Sequence, residues 1–300
     1  MKTIKGRQTC IMEFRQFQNL QSPYKQPIYD LIQAHLKDIP PYLVPSNNEI
    51  ATILQNPLHL VDLHLESVEF RQAIFVGVEN EVPVAAAQLL FPVQDRTAWL
   101  PWIVGKSSAG DELQLFVEQL KNAAAHEGYD VIETVKQPFG VGWEGIGDVW
   151  PHLLHTITAG GFTAIEKWQS FWAEGISEVA LPGDISYKSR YSDKEREYDL
   201  YLYDGKNQIG EIAIWLPGTR SVSLVEAGIA DIEYIEIEEA FRGKRLGQAI
   251  LSIAQTELRK YGIHRFMLWT EPDNDAMQKL AIRSGFQQGP LFHWMRADLT

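Results

Sequence analysis

One cysteine, Cys10, is all that 300 residues offer for disulfide chemistry. An internal disulfide framework is excluded, and a reducing, cytoplasmic setting is expected. No apolar run approaches the roughly 18 residues of a membrane-spanning helix. The charged start Met1-Lys2-Thr3-Ile4-Lys5-Gly6-Arg7 is followed by no apolar segment, so no signal peptide is expected either. Cysteine and histidine nowhere cluster at zinc spacing, and no metal site is expected. Cations are in the minority: 27 Lys and Arg against 39 Asp and Glu leave a net charge of −12. That balance argues against nucleic acid as a partner. It fits a cationic or neutral small substrate better.

What is present is enough chain for two domains. With 45% hydrophobic residues, it can bury a core without covalent staples. The second half punctuates itself clearly. Strand-like runs at 198–203 and 208–216 flank Asp204-Gly205-Lys206-Asn207, a hairpin signal. A third strand is expected over 227–237, a helix over 248–260 closed by Gly262, a strand over 264–270, a helix over 274–284 closed by Gly285, and a last strand over 292–297. The first half repeats the order. Strands at 74–78 and 82–91 flank Glu79-Asn80-Glu81. A strand at 98–104, a helix at 111–126, a strand at 131–135, a helix at 151–159 and a strand at 165–172 follow. Gly160-Gly161-Phe162 here matches Gly285-Phe286 there. Two copies of one unit are expected, 1–175 and 176–300. The first has room for two extra helices, 27–36 and 48–55. The second has only 176–197 ahead of its hairpin, and so lacks most of the helices that would cover one side of its site.

The most informative run is 235–249. The alternating Ile235, Glu236 and Ile237 lead into a short basic turn, Arg242, Gly243, Lys244, Arg245, Leu246 and Gly247, which opens directly into a helix. Such a turn aims unpaired backbone N–H groups and a helix N-terminus at one spot. Three cations on it, in an acidic chain, suit a diphosphate. The preceding strand carries carboxylates at Asp231, Glu233 and Glu236. Simple alternation puts Asp231 and Glu233 on the face of Ile235 and Ile237, and Glu236 with Tyr234.

These residues resemble motif A of the GNAT superfamily of N-acetyltransferases, written R/Q-x-x-G-x-G/A. Arg242, Leu246 and Gly247 match it, and Arg245 stands in place of the central glycine. Downstream, Asn274, Leu280, Gly285 and Phe286 fit the family's N-x-x-A-x-x-L-Y-x-x-x-G-F helix, with Ala281 at the tyrosine position. The resemblance covers about 198–300 well, and the first half only in the order of its elements.

It implies an α+β fold of two GNAT-like domains, each a mixed, mostly antiparallel sheet flanked by helices. It also implies an acetyl-CoA cosubstrate. The diphosphate would lie on 242–247, the pantetheine arm along the edge of Ile235 to Ile237, and Asn274 beside the arm. The family often places a base early on the preceding strand, where Asp231 and Glu233 stand. With Ala281 replacing the tyrosine, the acid that protonates the leaving thiolate falls to Tyr234, Tyr261, His293 or water.

The expected activity is transfer of acetyl to a primary amine of a small molecule or peptide by direct attack on the thioester. The rival is a non-catalytic acyl-CoA-binding or sensing protein, motivated by Ala281. A homodimer is open. Matching Gly128 with Gly262 puts Ser108, Ala109, Gly110 and Asp111 opposite the basic turn, where Asp111 would repel a diphosphate. The first unit is therefore expected to be a worn copy that binds no CoA, and the acceptor is expected between the units.

One further motif competes. Gly140-Val141-Gly142-Trp143-Glu144-Gly145 matches G-x-G-x-x-G. The link from Val135 to Pro151 is too long for a dinucleotide turn, and Asp148 with Pro151 starts the helix after the glycines. A loop with an exposed Trp143 is expected instead. The aromatic run Trp168, Phe171 and Trp172 is expected to be core.

Overall fold

The computed structural model describes residues 12–18, 23–55, 69–135, 143–192, 196–216 and 222–299. Cys10 and Gly140 to Gly142 lie outside them. The first half runs β1 (Glu13–Phe17), α1 (Lys25–Leu36), α2 (Asn47–Gln55), β2 (Phe70–Glu79), β3 (Val82–Pro92), β4 (Thr97–Gly105), α3 (Asp111–His126), β5 (Val131–Thr134), β6 (Ile146–Gly147), α4 (Pro151–Ala159) and β7 (Thr163–Ala173). The second half runs β8 (Ile185–Ser192), β9 (Glu197–Asp204), β10 (Asn207–Trp215), α5 (Val222–Glu226), β11 (Ile229–Ile237), α6 (Leu246–Leu258), β12 (Arg265–Thr270), α7 (Asp275–Arg283) and β13 (Gln287–Asp298).

Local chemistry explains the punctuation. The β2–β3 hairpin turns through Asn80 and Glu81, both at positive φ (49° and 64°), as a tight two-residue hairpin requires. Asp111 and Glu112 sit in the first turn of α3, where the helix dipole favours them. Asn274 caps α7 by accepting the Met277 N–H at 3.1 Å. Three strands were not anticipated: β1 pairs with β2, the two-residue β6 with β13, and β8 with β9. In β8, Tyr187 to Arg190 are exposed. The alternation that marks a half-buried strand is therefore weak there.

All strands join one 13-stranded sheet in the order β1-β2-β3-β4-β5-β13-β7-β12-β11-β10-β9-β8, with β6 pairing on β13. The order is symmetric about its centre, as expected of a repeat. At the centre the halves trade their last strands. β7 of the first half pairs with β12 of the second, Phe171 opposite Leu268. β13 of the second half pairs with β5 of the first, Ala297 opposite Ile132.

The cores follow the exchange. Phe292, Met295 and Ala297 are buried with the first half's core. Phe171 and Ala173 are buried with the second half's. Phe171 is thus core, as expected. Trp172 instead stays half-buried, and Tyr42 meets it edge-on with ring centroids 5.7 Å apart. Among the described residues, no helix is long and apolar enough to cross a membrane.

Candidate active site

The site is built at the splayed end of two parallel strands. β11 pairs with β12 only from Ile229 to Ile232. Beyond Ile232 the strands part, while β10 continues beside β11 as far as Ile237. From Glu233 to Ile237, β11 thus has no neighbouring strand on its β12 side among the described residues, and that edge is open to an extended ligand.

A bulge lies at the same point. Ala213 faces Tyr234, but Ile214 faces Ile232, so Glu233 is the extra residue. The bulge reverses the alternation. Ile232, Ile235 and Ile237 share the core side. Asp231, Tyr234 and Glu236 share the other face, opposite Trp215, Ala213 and Glu211. The expectation that Asp231 and Glu233 lie with Ile235 and Ile237 is therefore corrected, while Glu236 does share its face with Tyr234. One inserted residue shifts the period-two pattern by one, which no count along the sequence reveals.

Asp231 is buried, at 4% exposure, and Tyr234 is 44% exposed. The Tyr234 hydroxyl donates to the Glu236 carboxylate. That bond and the neighbouring negative charges push its pKa up to about 12.

After β11 the chain makes a single 3₁₀ turn (Glu239–Phe241) and then the basic turn. Gly243 and Arg245 both take positive φ, 78° and 63°. A glycine accepts this freely. Arg245 holds a left-handed conformation that costs roughly 1–2 kcal/mol. The first bonds onto the helix are Gln248 N and Ala249 N to Arg245 O. The N–H groups just before them have no intrahelical partner. No acidic residue occupies the first turn of α6, and no side chain caps it.

Arg242, Lys244 and Arg245 are exposed. The Arg242 Nε donates to Ile237 O at 2.8 Å, tying the turn to the open strand end. The Lys244 ammonium lies 4.6 Å from the Phe241 ring centroid. A Cβ added at Gly247 would sit 3.1 Å from Leu280 Cδ2, so this glycine lets α7 close on the start of α6. Asn274 Oδ1 is used in its cap, which leaves the amide NH₂ for a ligand. Ala281 is wholly buried in the second core, so position 281 does not face the open edge. Tyr261 stacks on Tyr191 at the far end of α6, and His293 pairs with Ile146 and Lys167 in the other half. Of the three candidate acids, only Tyr234 stands beside Asp231.

The first half offers a control. Its β4 and β5 also pair in parallel for four residues, Thr97 to Leu100, and also splay beyond. In register, Trp99 takes the place of Asp231 and Trp102 that of Tyr234. Trp102 is buried and its indole N–H donates to Gln88 Oε1 at 2.8 Å. Trp143 and Trp150 pack together at 4.7 Å. His152 Nε2 lies 2.8 Å from Gly105 O, at the end of β4.

The link from the 3₁₀ turn at Ser107–Ala109 to α3 is Gly110 alone, against Arg242 to Arg245 in the second half. The turn is shortened, rather than kept in length with its cations replaced as the Gly128–Gly262 match suggested. Trp143, expected in an exposed loop, is 1% exposed, and its N–H donates to Gly145 O at 2.7 Å. Trp150, not Asp148, precedes α4 as its N-cap. Asp148 accepts from Leu291 N instead. Of the G-x-G-x-x-G run, Gly145 lies against His293 O, where a Cβ would come within 2.5 Å. Among the described residues, no group of three or more His, Cys, Asp or Glu side chains could hold a metal ion.

Residues 163–286 match the model of the acetyltransferase (GNAT) family. They form a GNAT-family domain. The match begins at the first residue of β7, the strand that joins the second half of the sheet. A tandem GNAT protein from the clavulanic acid biosynthesis pathway, solved without AcCoA, superposes with a TM-score of 0.60 at 14% identity, over 96% of this chain and 99% of that one. A GCN5-related N-acetyltransferase from Sphaerobacter thermophilus superposes with a TM-score of 0.61 at 12% identity, over 95% and 96%. A glucosamine N-acetyltransferase region of a fungal multi-domain GH3 β-N-acetylglucosaminidase does so at 0.58 and 11%, over 95% of this chain and 38% of that one. The chain as a whole thus has the tandem GNAT fold. No curated protein matches the sequence.

Proposed function

We propose that the GNAT domain transfers acetyl from acetyl-CoA to a primary amine of a small molecule or peptide, and that the first half is a copy that binds no CoA. The observation that carries this reading is the basic turn 242–247 set at the open end of β11. Its N–H groups and cations are placed to hold a diphosphate, and the free edge of Ile235 to Ile237 is placed to pair with an amide-bearing arm. The first half also splays its parallel strands, but it lacks the basic turn, and His152 lies against Gly105 O at the end of its open strand.

The chemistry needs a neutral amine and a proton for the departing sulfur. In this reading Asp231 takes a proton from the incoming ammonium. The amine nitrogen then attacks the thioester carbonyl: a C–N bond forms, the C–S bond breaks, the second nitrogen proton passes to solvent, and the departing sulfur takes a proton from a donor that solvent reprotonates. Tyr234 is the donor that stands on the same face. The phenol is protonated at neutral pH with or without its bond to Glu236, and that bond makes it a weaker acid. Glu233, thrown out by the bulge, is the less well placed carboxylate.

The test is steady-state release of CoA thiol by the full chain with a panel of primary amines. Turnover is expected, and Asp231→Asn is expected to lower kcat by roughly 10²–10⁴-fold with the KM for acetyl-CoA little changed. Tight CoA binding without turnover on any amine would refute the catalytic reading.

A further inference from the structure

The face that carries Asp231 has a composition that a simple core does not explain. Register places Trp215 beside Asp231, Asp231 beside Met267, and Met267 beside Trp172, so four side chains stand in a row across β10, β11, β12 and β7. Trp269, two residues beyond Met267, projects on the same face. Met267 and Ile229 are fully buried in this patch, but the three indoles stay half-buried. The Trp269 indole nitrogen is shut off from solvent and has no hydrogen-bond partner among the described residues.

The first half supplies the roof. Leu43 packs on the patch, and Tyr42, edge-on to Trp172, is itself 54% exposed. Glu49 of α2 fastens the roof to the second half by accepting from the Ser223 hydroxyl at 2.8 Å. In the first half Leu90 and Trp99 stand in place of Trp215 and Asp231, while the carboxylate and a cation, Glu133 and Arg296, stand one and two strands further on.

A buried carboxylate with one indole on the neighbouring strand and two more beside Met267 selects for a cation, because aromatic rings and a carboxylate both attract one. The same indoles favour apolar bulk and penalise hydroxyls that would lose their water. We propose that this row is the acceptor subsite, and that the acceptor is a primary amine with an aromatic or branched apolar body. Its ammonium rests on Asp231, and its body lies against Trp172, Trp215 and Trp269 beneath Tyr42 and Leu43. The proposal builds on the acetyl-transfer reading. It adds the substrate class and makes the pocket a joint product of both halves.

Calorimetry on the full chain saturated with CoA tests it, with phenethylamine and tryptamine against glucosamine and spermidine. The two arylalkylamines are expected to bind more tightly than the other two. Trp172→Ala and Asp231→Asn are expected to weaken them by about tenfold or more with CoA affinity unchanged, and Trp172→Phe to restore most of the loss. Unchanged CoA affinity shows that the variants fold. Tighter binding of glucosamine or spermidine would overturn the proposal. So would arylalkylamine affinity unmoved in both variants, or no arylalkylamine binding by a chain that binds CoA. A chain that binds no CoA would instead overturn the acetyl-transfer reading beneath it.

Discussion

Replacing Phe292 by alanine tests the strand exchange at the centre of the sheet. Phe292 belongs to β13, near the end of the second half, yet it is wholly buried among first-half residues. Its ring meets Trp150 at 6.1 Å and Trp269 at 5.5 Å, edge to face in both cases. Truncating a buried phenylalanine costs roughly 3–5 kcal/mol, from lost transfer energy and from the cavity left behind. Two aromatic contacts and a strand flanked on both sides place this site toward the upper part of that range, because little can collapse into the gap.

If the halves are interlocked, the loss falls on the first half as much as on the second. Amide exchange in β4, β5 and α3 should accelerate by about two to three and a half orders of magnitude under conditions where exchange follows opening equilibria. The assay is hydrogen exchange read by mass spectrometry, with urea unfolding as the global measure. Faster exchange confined to 176–300, with the first half protected as before, would refute the exchange of strands.

Three further outcomes follow from the site. Arg245→Gly relieves a left-handed arginine, and after glycine's own entropy cost it should raise stability by about 0.5–1 kcal/mol while weakening CoA binding. Denaturant midpoints and calorimetry on the same variant read the two opposite signs. Glu236→Gln removes the carboxylate that holds the Tyr234 phenol up at about 12. Ionisation of that phenol should then move down toward the usual tyrosine range, a shift visible in ultraviolet titration against a Tyr234→Phe reference. Any alkaline loss of activity due to Tyr234 should move to lower pH with it. Gly247→Val drives a side chain against Leu280 and should cost about 1–3 kcal/mol, together with CoA affinity, because α6 and α7 can no longer close.

Much of this architecture was legible in the sequence because it rests on local rules. Helices α3 and α4 begin and end where charge, proline and glycine place them, and both hairpins turn at their Asn-Glu and Gly-Lys pairs. The basic turn could be read because its chemistry is contiguous. What stayed hidden is non-local. The exchange of β7 and β13 depends on which strand pairs with which, and neither strand's own pattern records its neighbour. The bulge at Glu233 changes the face of Asp231 through pairing with β10 alone. Trp143 reads as a loop residue, but it is claimed by a first-half core that fills with indole the space a ligand would need. The missing cradle of the first half is a shortened turn, and equal spacing to a later glycine concealed that.

The central claim is that CoA is held once, by the turn at 242–247. Titration calorimetry of the full chain with CoA should give one site per chain. The double variant Arg242→Glu with Arg245→Glu should lose two charge-assisted contacts, each worth about 1.5–3 kcal/mol, and so weaken binding by roughly two to four orders of magnitude. Two sites per chain, or one site whose affinity survives the double reversal, would contradict the account.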